Sequence, residues 1–530
     1  MGRGSGAGLR VHRLAQSVGK SLAKGRPPGQ SLGLDDYLDE CPGDVLGTLD
    51  GFAGHLAAGN ASDPTSLGYL FLMEGQLERL RYRADAGFTD AAGLIAAFQR
   101  EAGKLASAGR IDGAALSMIG AVLHEAKIAA SEELIASIEQ HSEAMPIGEA
   151  MPDLAAVLDE MAGQCDGDPF SLASLLAETG HAMPREIRAM MPAVLAASAH
   201  APVRETAVLH LLDPEPCVRK AAIEALQADV SRLTPDSLRR LIAIRNWLPE
   251  PERSGLDVLI RAARAKGIVC ASWREAEIEI ILAAAIDGSG AQGFLIVTKA
   301  GRKKRLSSIL LRAGILEAWS GPPENKTKIE DAIDNAGFQV AMTPVSRAYL
   351  DETVCAHLAK GLAAGLVAPA GLLQAAETIG AAIWRPEPRE WQDTLAGLLA
   401  NIPQEMRAPE ALRSILARSG DWAYEEGLPA SWFESGPDAA RITAKIRREE
   451  RGTGLERVIA EVIAPRRAKW AELFTRTAQW LRAAQDEGAG LPWREFALLA
   501  DAIGESRDLA QIPLMRDIAE RTAAMNSATL

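Results

Sequence analysis

The chain has 530 residues, with 57 Lys and Arg against 70 Asp and Glu and a formal charge of −13. That balance excludes a general polyanion-binding coat, because gripping a polyanion takes an excess of clustered cations to displace its counterions. With 48% hydrophobic and 24% charged residues the composition is that of a folded protein, neither disordered nor fibrous.

Only 5% of residues are aromatic, and the apolar set is mainly Ala, Leu and Ile, which leans to helix. No uninterrupted apolar run reaches the roughly 18 residues of a membrane span. Even Leu362 to Leu373 is broken by Gly365, Pro369 and Gly371. Cys41, Cys165, Cys217, Cys270 and Cys355 are odd in number and show no CxxC, so a reducing, cytoplasmic setting is expected, with neither disulfide framework nor zinc site. Cys355 and His357 are two potential metal ligands standing alone, and simple packing is the expected role for both. No cofactor and no metal are expected.

Residues 1–34 contain no acid and six basic side chains, Arg3, Arg10, Arg13, Lys20, Lys24 and Arg26. They read as a flexible basic arm with a short amphipathic helix carrying Leu14, Val18 and Leu22. Gly19-Lys20-Ser21 copies the end of a Walker loop, but Leu14 stands where its first glycine belongs and no strand precedes it. From residue 35 apolar residues recur at three- and four-residue spacing between short Gly, Pro, Asp or Ser breaks, the pattern of packed helices. Examples are Leu67, Leu70, Met73, Leu77 and Leu80, then Leu94, Ile95, Phe98 and Leu105, then Leu116, Ile119 and Leu123. Regions 35–145 and 146–270 are expected to be helical throughout.

Within the second of these, residues 202–228 have an apolar first helix ending at Leu211 and Leu212, an Asp213-Pro214 turn, and Val218-Arg219 followed by Ala222, Ala225 and Leu226. This segment resembles a HEAT repeat, with weaker helical pairs at 182–198 and 235–267 as neighbours. Asp213 with Pro214 would close the turn, the alanines would let two helices approach, and Arg219 would pair with the turn's carboxylate. The resemblance implies a binding scaffold, by analogy of fold.

Residues 277–298 break the pattern. Glu277 to Leu282 and Phe294 to Thr298 read as two strands around Asp287-Gly288-Ser289-Gly290. Gly288, Gly290 and Gly293 satisfy GxGxxG, but a strand follows where a dinucleotide fold needs a helix, so these glycines are expected to permit a tight turn. A kinase glycine loop fits locally, yet no His-Arg-Asp or Asp-Phe-Gly motif lies downstream. Lys299, Arg302, Lys303, Lys304 and Arg305 then form the sharpest basic patch of the chain, a candidate contact for the phosphates of nucleic acid. It is expected to lead into an amphipathic helix carrying Leu306, Ile309, Leu310 and Ile315.

All ten tryptophans lie after residue 246, so region 331–530 reads as a separate Trp-rich helical region. Core packing is the expected role of most, while Trp422, Trp432 and Trp470 are candidate anchors for a partner. Arg441, Lys445, Arg447, Arg448, Arg451, Arg466, Arg467 and Lys469 lie near them, diluted by Glu449, Glu450, Glu456 and Glu461. The whole reads as a mainly all-α chain, an irregular HEAT-like array or helical bundles with one small β-hairpin at 277–298 and a hairpin-loop-helix region at 271–330. The expected function is non-enzymatic binding of a protein partner. A nucleic-acid accessory factor using residues 299–305, or an enzyme whose site assembles only in space, are the alternatives.

Overall fold

The structure, a computed structural model, describes residues 4–24, 34–60, 63–85, 89–141, 147–180, 185–339, 342–381, 384–422, 431–435, 437–446, 451–486, 492–504 and 507–527. Arg3, residues 25–30 of the basic arm and residues 447–450 of the C-terminal charged stretch lie outside these. The chain is mainly helical and divides at residues 194 and 195 into two compact units.

The first unit contains α1 (Gly4–Leu22), α2 (Leu34–Glu40), α3 (Val45–Ala57), α4 (Thr65–Asp85), α5 (Thr89–Ser107), α6 (Gly113–Glu125), α7 (Glu132–His141), α8 (Ile147–Gln164) and α9 (Pro169–Gly180). Helix α4 is its axis, packing on α1, α3, α5 and α6. The expected flexible arm is corrected here: α1 is a packed helix, with Val11, Ala15 and Val18 buried while Arg10, Arg13 and Lys20 stay exposed. The reason is a close crossing. A Cβ on Gly68 of α4 would lie 1.8 Å from the Ala15 carbonyl oxygen, so only glycine lets the two backbones approach. The core polar groups are mutually satisfied: Thr48 Oγ1 donates to Gln76 Oε1 at 2.9 Å, and Gln76 Nε2 donates to Tyr37 OH at 3.3 Å. The apolar stripes expected for α4, α5 and α6 face the core, with Leu70, Leu94 and Ile95 partly buried and Leu67 exposed.

Helix α10 (Arg185–Ala197) leads into the second unit, which begins with α11 (Ala201–Leu209), α12 (Pro216–Ala228), α13 (Pro235–Arg245) and α14 (Glu250–Ala265). Helix α11 packs on α12 and α13, and α14 packs on α12 and α13. Arg219 corrects the expected pairing. It donates to the carbonyl oxygens of Asp213 at 2.7 Å and Pro214 at 2.8 Å, and its guanidinium forks onto Glu252 of α14 at 2.6 and 2.7 Å. The Asp213 carboxylate caps the backbone N–H of Glu215 at 2.8 Å.

The expected hairpin is part of a larger sheet. Strands β1 (Ile278–Ala284), β2 (Gln292–Ala300), β3 (Lys303–Leu311), β4 (Ile315–Ser320) and β5 (Met342–Pro344) form one antiparallel sheet in the order β4-β3-β2-β1-β5. The amphipathic helix expected at 306–315 is therefore β3 and the start of β4. Ser307, Ile309 and Leu311 pair in register with Ile296, Phe294 and Gln292 and are all buried. That period of two was masked by apolar Leu306 and Leu310 on the opposite face. Helix α15 (Lys326–Gln339) covers one face through Ile329, which packs with Leu282, Leu295, Val297 and Leu306. The 271–330 boundary is thus displaced, since it cuts α15 and leaves out β5.

Helices α16 (Arg347–Ala363) and α17 (Ala370–Ile379) follow, and α17 packs on β2, β3 and β4. The C-terminal bundle comprises α18 (Trp391–Leu399), α19 (Gln404–Arg407), α20 (Pro409–Arg418), α21 (Pro437–Ile446), α22 (Arg451–Val458), α23 (Arg467–Asp486), α24 (Trp493–Gly504) and α25 (Pro513–Ser527). In it α23 and α24 pack as an antiparallel pair with α18 against both.

Candidate functional site

The basic patch is not a loop beside a helix. Lys299 and Lys304 face each other across the β2–β3 ladder, and like charges in such a pair repel. Acids on and before β1 relieve this, Glu277 pairing with Lys299 and Glu279 with Lys304. Glu277 also holds the Lys299 ammonium above its usual range. Lys303 Nζ donates to the Pro323 carbonyl oxygen at 3.3 Å. Arg302 is exposed at the turn, and Arg305 is half-buried with its Nε meeting no acceptor among the described residues. Two of the five charges offered for phosphate are thus neutralised within the sheet.

The three candidate partner-binding tryptophans are interior, which corrects that expectation. Trp422, Trp432 and Trp470 are all buried and stack around two phenylalanines. Ring centroids are 4.8 Å apart for Trp422 and Phe496, 5.2 Å for Trp432 and Phe474, and 5.8 Å for Trp470 and Phe474. Trp432 Nε1 also donates to the Ile286 carbonyl oxygen at 2.9 Å. The glycine-rich turn docks at the same place. A Cβ on Gly288 would lie 2.0 Å from the Ser431 carbonyl oxygen, and Gly288 N–H donates to Ser431 Oγ at 3.3 Å. The GxGxxG pattern thus seats a turn against the bundle.

Arg476 of α23 reaches this turn and donates from Nη1 to the Gly290 carbonyl oxygen at 2.9 Å. It also forms part of the wall of a cavity of about 350 Å³ between α16, α23 and the segment entering α18. His357 and Tyr349 of α16 line the same cavity. His357 is only 5% exposed. Its Nδ1 lies 2.8 Å from the Thr353 carbonyl oxygen, which can only accept, so Nδ1 carries the proton and Nε2 keeps a lone pair. Burial first, then the nearby Arg476 charge, pushes its pKa down to about 3. Tyr349 donates to Gln292 Oε1 at 3.0 Å, and burial pushes its phenol up to about 12. Burial likewise lowers Arg476, against the longer-range attraction of Glu472 and Asp287.

Neither His357 Nε2 nor Arg476 Nη2, both buried, meets a hydrogen-bond partner among the described residues. At the cavity mouth the charges are paired: Arg389 with Glu352 and Lys360 with Glu472, each at 2.9 Å. A second cavity of about 410 Å³ shares Tyr349, Glu352, Arg389, Thr394 and Gln479 with the first. Cys355 sits two positions from His357 on α16, so the side chains diverge. Among the described residues no group of three or more His, Cys, Asp or Glu could hold a metal ion.

A further charged cluster lies in the interior between α13 and α17. Glu377 accepts from Arg239 at 2.9 Å and from Arg240 at 2.8 and 3.0 Å, and Arg240 also reaches Glu205 at 3.0 Å. Burial penalises the Glu377 carboxylate, but Arg240 and Arg239 outweigh that penalty and hold it below its usual range. Every charge in the cluster is compensated, which marks it as structural.

Sequence reasoning missed the cavity because its residues come from separate stretches, around 349–360, 388–394 and 472–479. The one available signal was His357, read beside Cys355 as a packing residue.

Residues 184–267 match the Y4lR second domain and residues 392–527 the Y4lR C-terminal helical domain. The chain is also 27% identical over 388 residues to the uncharacterized protein y4lR of Sinorhizobium fredii (strain NBRC 101917 / NGR234), which covers 70% of this chain and 72% of that protein. No solved structure matches.

Proposed function

We propose that this chain is a non-enzymatic, cytoplasmic helical interaction protein that holds a protein partner on a HEAT-like surface in its second unit. The observation that carries this reading is the like-on-like stacking of two hairpins. Helix α11 packs on α13 while α12 packs on α14, the arrangement in which repeated hairpins bury a shared core and leave one face free. The Arg219–Glu252 fork ties the first hairpin to the second. Val258 of α14 remains 48% exposed on the outer side. The cysteines Cys41, Cys165, Cys217, Cys270 and Cys355 form no disulfide, which supports a reducing compartment, and no described helix is long and apolar enough to cross a membrane.

A photo-crosslinking residue at Glu224 or Val258, both exposed, should trap one protein in stoichiometric yield from native lysate. A crosslink pattern no different from one at a position on α5 counts against the reading.

The cavity brings titratable groups together, as a spatially assembled enzyme site would. However, a histidine at about 3 and a tyrosine at about 12 are both far from the range in which proton transfer is efficient near neutrality. This supports binding rather than general acid–base catalysis there.

Arg302 and Lys303, exposed at the β2–β3 turn, support the second reading, contact with nucleic-acid phosphates. Reversing Arg302, Lys303 and Lys304 to Glu should then abolish an RNA or DNA complex seen at low salt, and that complex should weaken steeply with added salt. No complex at low salt rejects it.

A further inference from the structure

The cavity between α16, α23 and α18 has an unusual distribution of hydrogen-bonding groups. Besides Arg389 and Lys360, which are paired with Glu352 and Glu472 at the mouth, its positive features are two. Arg476, half-buried, stays ionised, and its Nη2, buried without a hydrogen-bond partner among the described residues, is costly unless something compensates it. The cavity is also bounded by the first turn of α18, with Pro388, Arg389, Glu390, Trp391 and Thr394 in its wall. Glu390 makes no side-chain cap at that helix start, and the first intrahelical bond runs from Thr394 N–H to the Glu390 carbonyl oxygen. The N–H groups before Thr394 therefore lack intrahelical acceptors, and the helix dipole favours negative charge beside them.

Apart from the paired Lys360 and Arg389 and the Gln479 amide, which donates to Glu352, the rest of the polar wall accepts. Thr353 Oγ1 donates to the Tyr349 carbonyl oxygen and Thr475 Oγ1 to the Ala471 carbonyl oxygen, so each hydroxyl has spent its proton and keeps only lone pairs. His357 Nε2 is likewise an acceptor. Glu352 and Glu472 at the mouth are each engaged by a cation. A ligand complementary to this wall therefore needs an oxyanion for the cationic side and hydroxyl donors for the accepting side. Ala356, Ala359, Ala363 and Trp391 supply apolar contact, and the volume is within the usual range for small-molecule sites.

We propose that this cavity binds a small hydroxylated oxyanion, a polyhydroxy carboxylate or a sugar-type phosphate monoester, with Arg476 and the α18 N-terminus holding the anionic group and His357, Thr353 and Thr475 accepting from the hydroxyls. Gluconate and glycerol 3-phosphate represent the two sources of this chemistry, while acetate keeps the charge without hydroxyls and glycerol keeps the hydroxyls without charge. In titration calorimetry of the full chain, one of the first two should bind saturably in the millimolar range or tighter. Acetate and glycerol should each bind at least about tenfold more weakly, the loss expected for one charged or several neutral hydrogen bonds.

Arg476→Gln should weaken the binding probe by about tenfold or more. Arg476→Lys should recover part of the loss, and His357→Leu should remove the preference for the hydroxylated probe over acetate. Because Arg476 also holds Gly290, the wild-type chain with ¹⁵N-labelled histidine gives an independent readout: one buried neutral imidazole should shift on saturation. No saturable binding of either hydroxylated anion to chain of native circular dichroism, or an unmoved imidazole, overturns the proposal. So does binding that Arg476→Gln leaves unchanged.

Discussion

His357 and Glu377 show how burial turns single ionisable side chains into stability terms of opposite kind. His357 titrates near 6.5 in an unfolded chain and only at about 3 in the folded one. The unfolded state therefore binds an extra proton between those values, and stability is full above about pH 6.5 and falls as the pH drops toward 3. Denaturant titrations at pH 7 and pH 5 should show this loss, of the order of 1.4 kcal/mol per pH unit at most, and His357→Leu should flatten that slope. An equally steep slope in the variant refutes the assignment. Glu377 bridges Arg239 and Arg240 in the interior, so Glu377→Ala leaves each guanidinium with one acid, Asp236 for Arg239 and Glu205 for Arg240, and removes the carboxylate they share. It should cost about 3 kcal/mol or more, read as a lowered denaturant midpoint. Neither partner was legible in the sequence, since 137 residues separate Arg240 from Glu377.

At the scale of elements, the glycine-rich turn between β1 and β2 is held by what it touches. Gly288→Ala places a methyl group on the Ser431 carbonyl oxygen, and relief requires a backbone shift that should cost about 2 kcal/mol. The Trp432 indole N–H, bonded to Ile286, should then exchange faster in that variant. Wild-type protection at this indole excludes the close approach. The first two strands were readable because their alternating residues flank a turn, whereas β3 was read as helix. Leu306, Ile309 and Leu310 fit a helical stripe as well as a ladder, and only the pairing of Ile309 with Phe294 decides between them. Helix α1 was partly readable too: Leu14, Val18 and Leu22 gave its amphipathic pattern, while its docking depends on a glycine 49 positions from Gly19, at Gly68 of α4.

At the scale of the whole molecule, both units have a core of their own, and every tryptophan lies in the second. A fragment spanning 195–528 should therefore fold by itself, with a cooperative transition in tryptophan fluorescence at the midpoint of the full chain. A broad, non-cooperative transition would refute that autonomy. The sequence by itself determined the helical character, the turn at Asp213-Pro214 and the tendency of the tryptophans to pack, because these follow from local period and side-chain type. Only the tertiary structure decided that the hairpin grows into five strands, that Lys299 and Lys304 are matched by Glu277 and Glu279, and that Arg476 and His357 share one cavity. Such arrangements depend on contacts between distant segments, and a period along the chain carries no record of which distant residue will stand opposite.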